Sequence, residues 1–274
     1  MENEFMAALA AAGLAPVKQI DFPDGRIVRF RIQGDKSSSR NGWAILHRSP
    51  VPAGAFGSWK TGEQHSWRSG TNQVLSAAEQ EELRRKLAAA QQARAAEQEK
   101  VRAEAAGKAA RLWQQAAPAF DSHPYLKAKG VRSFALRVLR DRLLIPARDA
   151  AGRLHTLQFI GPDGAKRFLS GGRIAGCYYA IGRPRDVLLL AEGYATAATL
   201  HQATGLAVAV CFNCGNLLDV AKSLRAKFPR LRFVICADND ARTPGNPGLT
   251  AARKAARAVG GLVAFPDFEG VASV

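Results

Sequence analysis

From residue 187 onward the sequence alternates between two hydrophobic periods, and this restricts the fold more than any other feature. Apolar runs at 187–191, 206–212, 232–237 and 261–266 are short and nearly continuous. Between them lie helix-patterned stretches at 195–203, 216–228 and 248–260. Continuous apolar runs of this length suit strands buried on both faces, and helices between them act as crossovers in a parallel sheet. In such sheets, ligand-binding and catalytic residues collect outside the carboxyl ends of the strands. Glu192, Asn213, Asp238 and Asp240 all fall at such ends.

Three carboxylates at one sheet edge repel one another and raise one another's pKa. A hard divalent cation removes that conflict. Asp238-Asn239-Asp240 is an Asp-x-Asp pair suited to hold Mg²⁺, or Mn²⁺, through oxygen. An ion held so can activate an attacking oxygen and neutralise a phosphoryl group. Glu192 is then a ligand or a general acid/base, and Gly193 is expected to permit the tight turn beside it. Taken singly, each feature has a plainer reading: Asp238 as a helix cap, Asp240 as a solvated side chain. The order strand–Glu-Gly–helix, then strand–Asp-x-Asp–helix, favours the joint one.

The preceding residues, 118–186, hold 13 Lys and Arg against 5 Asp and Glu. That net of +8 is half of the chain's formal +16, so the positive charge forms a patch. Phosphate backbones are the commonest partner of such a patch, through counterion release. Two apolar runs, "RLLIPAR" and "LHTLQFI", flank "DAAG", which reads as a hairpin; the turn "GPDG" then leads to Lys166-Arg167. Residues 118–186 are therefore expected to form a small basic antiparallel subdomain.

Residues 76–117 read as one long charged helix, opened by the capping box Ser76-x-x-Glu79 and lacking a sustained apolar heptad. A surface spacer is expected, with a break or bend at Gly107. Residues 1–75 read as a small α+β module. Trp43, Trp59 and Trp67 lie there among Arg29, Arg31, Lys36, Arg40, Lys60 and Arg68. Aromatics beside cations can form a stacking platform for single strands, with Trp59 and Trp67 as candidates, or can simply fill a small core.

Cys211-x-x-Cys214 is half of a zinc spacing with no second pair, and Cys177 and Cys236 stand alone, so no zinc is expected. Scattered cysteines and the lack of any apolar stretch of about 18 residues point to a cytoplasmic chain without a membrane partner.

On Glu192-Gly193 and Asp238-Asn239-Asp240, residues 187–268 resemble the Toprim domain of primases, topoisomerases and certain nucleases. "EGYATAATLHQATGL" and "ADNDARTPGNPGLTAARKAA" look like the versions in primase-like proteins of phages, plasmids and integrative elements. "LLIPARDAAGRLHTLQFIGPDGAKRFLSGG" looks like the basic segment ahead of Toprim in bacterial replicative primases. The resemblance implies a DNA primase that makes short RNA primers on a single-stranded DNA template from ribonucleoside triphosphates. Glu192, Asp238 and Asp240 would be its metal-binding and catalytic set. Arg148, Lys166 and Arg167 would contact nucleic acid or nucleotide phosphates, with Asn213 and Asn216 lining the site. A replicative helicase is a further partner of such proteins. Two features depart from that pattern, since neither the N-terminal zinc module of bacterial replicative primases nor a helicase portion is visible. A small natural primase and a fragment of a longer protein both stay open. A Toprim nuclease would use the same carboxylates, and a non-catalytic single-strand-binding module is the third reading. A topoisomerase would need a transferable tyrosine, and the candidates are Tyr125, Tyr178, Tyr179 and Tyr194.

Overall fold

The computed structural model describes residues 1–49, 51–69, 76–238 and 243–266. The chain divides into two compact units, Met1–Glu99 and Lys100–Val274. Among the described residues no helix is long and apolar enough to cross a membrane.

The first unit begins with α1 (Glu2–Ala11) and an antiparallel sheet of β1 (Val28–Phe30), β2 (Gly42–His47), β3 (Ala53–Ser58) and β4 (Gln64–Arg68), ordered as in the chain. Period-2 alternation in β2 sends Ala44 and Leu46 to one face and Trp43 and Ile45 to the other. The first pair packs with Phe5 and Leu9 of α1 and with Phe22, Phe30 and Phe56. The second pair is covered by Ala90 of α2 (Ala77–Gln115). Both faces of β2 are thus buried, which explains its unbroken apolar run. Gly54 is needed because Phe5 comes close; a Cβ there would lie 2.5 Å from the Ile45 carbonyl oxygen and 2.9 Å from the Phe5 ring.

The boundary between the units falls inside α2, and each part of that helix packs on its own unit. In the second unit Ala109, Leu112 and Trp113 cover Leu144 and Leu157, and the Arg137 guanidinium lies 4.7 Å from the Trp113 ring. The helix is therefore not a bare spacer, and it runs unbroken through Gly107. Alanine-rich stretches let it approach closely where a polar sequence gives little sign of packing.

After α2 come β5 (Ala117–Pro118), α3 (Pro124–Lys129), β6 (Arg137–Leu139), β7 (Arg142–Arg148), β8 (Leu154–Ile160) and β9 (Lys166–Phe168). The five strands form an antiparallel sheet in chain order. The β7–β8 hairpin turns at "DAAG", where the Asp149 carboxylate accepts from the backbone N–H groups of Ala151 and Arg153, both at 3.0 Å. Leu144, Leu157 and Phe159 face α2, while Leu143, Ile145 and Ile160 face the other way.

The remaining elements are β10 (Tyr179–Ile181), β11 (Val187–Ala191), α4 (Tyr194–Thr204), β12 (Ala207–Val210), α5 (Leu217–Lys227), β13 (Arg232–Cys236), α6 (Pro247–Val259) and β14 (Leu262–Ala264). They build a mixed α/β fold around a sheet ordered β10-β12-β11-β13-β14, parallel except for β10. Leu188, Leu190, Phe233 and Ile235 pack under α5 and α6. Leu189, Ala191, Val208 and Val210 pack on the other face, in a core shared with Tyr194 and Ala197 of α4 and with Leu143, Ile145 and Ile160 of the antiparallel sheet. The two sheets therefore share one hydrophobic core.

Because α2 is continuous at Gly107, and a Cβ there would meet only the Arg111 guanidinium at 3.8 Å, Gly107→Ala should stabilise the chain. We expect a gain of about 0.5–1 kcal/mol in urea unfolding; a decrease would show that the helix bends there.

Candidate active site at the strand ends

Register assembles this site. In the parallel sheet Ala191, the last residue of β11, lies opposite Cys236, the last of β13, and opposite Val210, the last of β12. The residues that follow leave the same edge together: Glu192-Gly193, Cys211-Phe212-Asn213 and Ala237-Asp238. Glu192 and Asp238 thus stand at the ends of neighbouring strands. Thr196, in the first turn of α4, donates from Oγ1 to Asp238 Oδ1 at 3.5 Å and ties the two strand ends together. Asp240 lies outside the described residues.

Two buried thiols lie close to these strand ends. Cys211 lies beneath, fully buried, and its thiol pKa is pushed far up by burial and then by the negative charge of Glu192. Burial also raises the Cys236 thiol, to about 11.

Gly193 corrects the sequence reading. Its backbone is extended, with φ −106 and ψ 158, so the turn does not require glycine. What a Cβ there would meet is Lys166 Nζ, at 3.7 Å. The Lys166 ammonium therefore sits at the Glu192-Gly193 turn.

Lys166 reaches that position because of strand alternation. In β9, Lys166 pairs with Ile160 and Phe168 with Gln158, on the face turned toward the parallel sheet. Phe168 meets Phe212 edge-on at 5.5 Å, and Phe212 holds φ 73, an uncommon conformation for a non-glycine residue. That contact pins the β9 strand against the loop after β12. Arg167 pairs with Phe159 and lies on the opposite face, the one covered by α2. The basic pair of the sequence is therefore split, and Arg167 does not share the face of Lys166.

The other candidates differ in placement: Asn213 is exposed, Arg148 half-buried and Asn216 buried. Asn216 is 4% exposed, and its side-chain amide is fully engaged. It donates to the carbonyls of Cys177 and Cys211, both at 2.9 Å, and accepts from Gly176 N–H at 2.8 Å. Asn216 thus joins three segments and does not line the site. Asn213 caps the following turn, its Oδ1 accepting from Asn216 N–H at 3.0 Å. Arg148 donates to the Gly152 carbonyl of its own hairpin at 2.9 Å. Trp59 and Trp67 belong to the first unit. Trp59 is half-buried against Trp43, ring centroids 5.7 Å apart, and Trp67 against Phe5 at 5.2 Å. Both rings are packing residues and not an open platform.

The sequence reading missed Thr196; its place four residues after Glu192, in the first turn of the helix, was the available signal. It also missed the cluster in which Asp149 Oδ2 lies 2.7 Å from His155 Nε2 and 3.3 Å from Arg173. Burial opposes ionisation of Asp149, but the His155 hydrogen bond and the Arg153 N–H outweigh it and hold the carboxyl below its usual range. Among the tyrosines, Tyr194 is buried and donates to the Arg132 carbonyl at 2.7 Å. Burial raises its pKa steeply, so it is poorly suited to act as a nucleophile.

Two measurements test these placements. Asn216→Ala should destabilise the second unit by about 1–3 kcal/mol in urea unfolding, because it orphans buried backbone groups. In the native protein a thiol reagent should modify Cys214 rapidly. Cys177, Cys211 and Cys236, all buried and all raised in pKa, should react only after unfolding.

The model of the Toprim domain family matches residues 187–264. Two curated proteins, both named DNA primase TraC, from Escherichia coli, are 38% and 37% identical to this chain over 97% of its length. The chain spans 26% and 19% of the length of those relatives. Solved structures superpose loosely. The primase fragment of the bacteriophage T7 primase-helicase gives a TM-score of 0.40 at 10% identity, covering 52% of this chain and 64% of that one. The DnaG catalytic core gives 0.39 at 15% identity, covering 62% and 72%. These scores are too low to bear on function. Residues 187–264 of this chain thus belong to the Toprim domain family, within a chain similar over nearly its whole length to part of DNA primase TraC.

Proposed function

We propose that the chain is the primer-synthesising part of a DNA primase, joining ribonucleotides on a single-stranded DNA template. One observation carries this reading above the others: the basic antiparallel sheet delivers Lys166 to the Glu192-Gly193 turn, beside the strand end that bears Asp238. A cation from a separate sheet, held at an acidic strand edge, suits a phosphate that must approach carboxylates. Similarity to part of DNA primase TraC supports the same reading.

Glu192, Asp238 and Asp240 would hold Mg²⁺ or Mn²⁺; hard oxygen donors at neighbouring strand ends fit such an ion. When bound, the ion would neutralise phosphate charge and favour the ionised form of an attacking hydroxyl. The chain's own contribution is positional. The β11–β13 register sets the spacing of the carboxylates, Thr196 orients Asp238, and Lys166 offsets negative charge at the turn.

The test is incubation of the chain with single-stranded circular DNA, Mg²⁺ or Mn²⁺, and labelled ribonucleotides. Short labelled products that require template are expected. Glu192→Gln, Asp238→Asn and Asp240→Asn should each reduce them by at least about 100-fold, as is typical when one preorganised charged group is removed. Binding of single-stranded DNA should stay near the wild-type level. Degradation of the template without product would overturn the proposal in favour of a nuclease, and retention of template without product in favour of a binding module.

A further inference from the structure

We infer that the first unit carries a second nucleic-acid site, a groove beside β1 that holds the phosphate backbone of single-stranded DNA. The sequence pointed to Trp59 and Trp67, but both rings are packed. The cations that accompanied them in the sequence are arranged differently. Arg29 and Arg31 are two apart along β1 and its extension and share a face, while Phe30 between them turns into the core and is 4% exposed. β1 is the edge strand of its sheet. Along it runs an open groove of about 540 Å³, lined by Lys18, Arg29, Arg31 and Arg40 together with Ser37 and Ser38. No acidic residue lines it among the described residues.

The groove is held in shape by the residues around it. Asp35, at the base of the serine loop, accepts from Lys60 Nζ at 2.8 Å, Ser39 Oγ at 3.1 Å and Asn41 Nδ2 at 3.2 Å. The Lys60 hydrogen bond, helped by the other two against burial, keeps its carboxyl below the usual range. This nearby acid is therefore spent on fixing the loop and does not neutralise the groove. Arg29 donates to the Arg40 carbonyl at 3.1 Å and fastens the loop to β1. Its Nε is buried without a hydrogen-bond partner.

Four cations and two hydroxyls, with no acid and no exposed ring, are the donors that phosphate oxygens accept from. With nothing for a base to stack on, the groove grips the backbone and ignores sequence. Four cations around one open groove suit the several phosphates of a strand better than those of a single nucleotide. This inference rests on the proposed function only for its choice of single-stranded DNA as the ligand.

The test is binding by the full chain, followed by fluorescence anisotropy without metal or ribonucleotides. Labelled oligo-dT and a mixed-sequence oligomer of equal length are titrated over a range of salt concentrations. Failure of primer synthesis then leaves this result standing, and failure here leaves the carboxylate site standing. Lys18→Ala/Arg31→Ala/Arg40→Ala should lower affinity at least about tenfold at low salt. It should also flatten the dependence of log K on log salt by about 2, at roughly 0.7 for each phosphate no longer neutralised. Both oligomers should be affected equally, with the melting temperature unchanged. A control of equal charge, Arg84→Ala/Arg85→Ala/Lys108→Ala, removes three cations of α2 that do not line the groove and should leave the slope near wild type. Unchanged binding in the groove variant would overturn the proposal. So would an effect on one oligomer only, an equal fall in the control, or a defect confined to binding of free ATP in a parallel titration.

Discussion

The register of β11 against its parallel neighbours underlies everything else in the second unit. Four residue pairs with β12 and five with β13 fix where three strands end, and only that coincidence makes neighbours of Glu192 and Asp238, 46 positions apart in the chain. A slip of one residue would turn Leu189 and Ala191 to the face of Leu188 and Leu190 and break both cores at once. The burial of two opposite faces thus protects the geometry of the acidic edge. The strand ends that carry Glu192 and Asp238 are placed by hydrophobic packing on both faces of the sheet.

The same division of labour recurs across the molecule, with apolar contacts setting positions and polar groups using them. Phe168 against Phe212 places Lys166, and Asn216 spends its amide on three backbone groups so that the loop after β12 keeps its course. In the first unit, Trp43 and Ile45 under Ala90 hold the sheet against α2, leaving the β1 edge to its cations.

Much of this was legible in the sequence, where side-chain period and burial coincide. Strands buried on both faces read as continuous apolar runs, so β11 to β13 and the helices between them stood out, and Glu192 and Asp238 with them; β14 was read from the same kind of apolar run although it lies largely exposed at the sheet edge. Lys166 and Arg167 were found as a basic pair, yet alternation along a strand sends adjacent side chains to opposite faces, which a count of charges ignores. The tryptophans were ambiguous for a different reason. An aromatic beside cations has the same local sequence whether it stacks on a base or on Phe5, and only the fold decides. The packing of α2 was hidden because alanine gives so weak a hydrophobic signal in a helix otherwise rich in Glu, Gln, Lys and Arg. β10 was missed because it has three residues, and its partner, β12, lies beyond an intervening strand and helix.

That short strand has a consequence for how such a domain can be inherited. The Toprim match begins at residue 187, but the sheet begins at Tyr179, with β10 laid antiparallel along β12. A recombination event that carried off 187–264 alone would strip β12 of its outer neighbour and expose a row of backbone donors and acceptors. Open edges of that kind invite pairing with other chains. The segment able to move between proteins as a unit therefore reaches back into the basic sheet, whose Leu143, Ile145 and Ile160 fill the same core. The acidic edge and the strand that brings Lys166 to it would travel together.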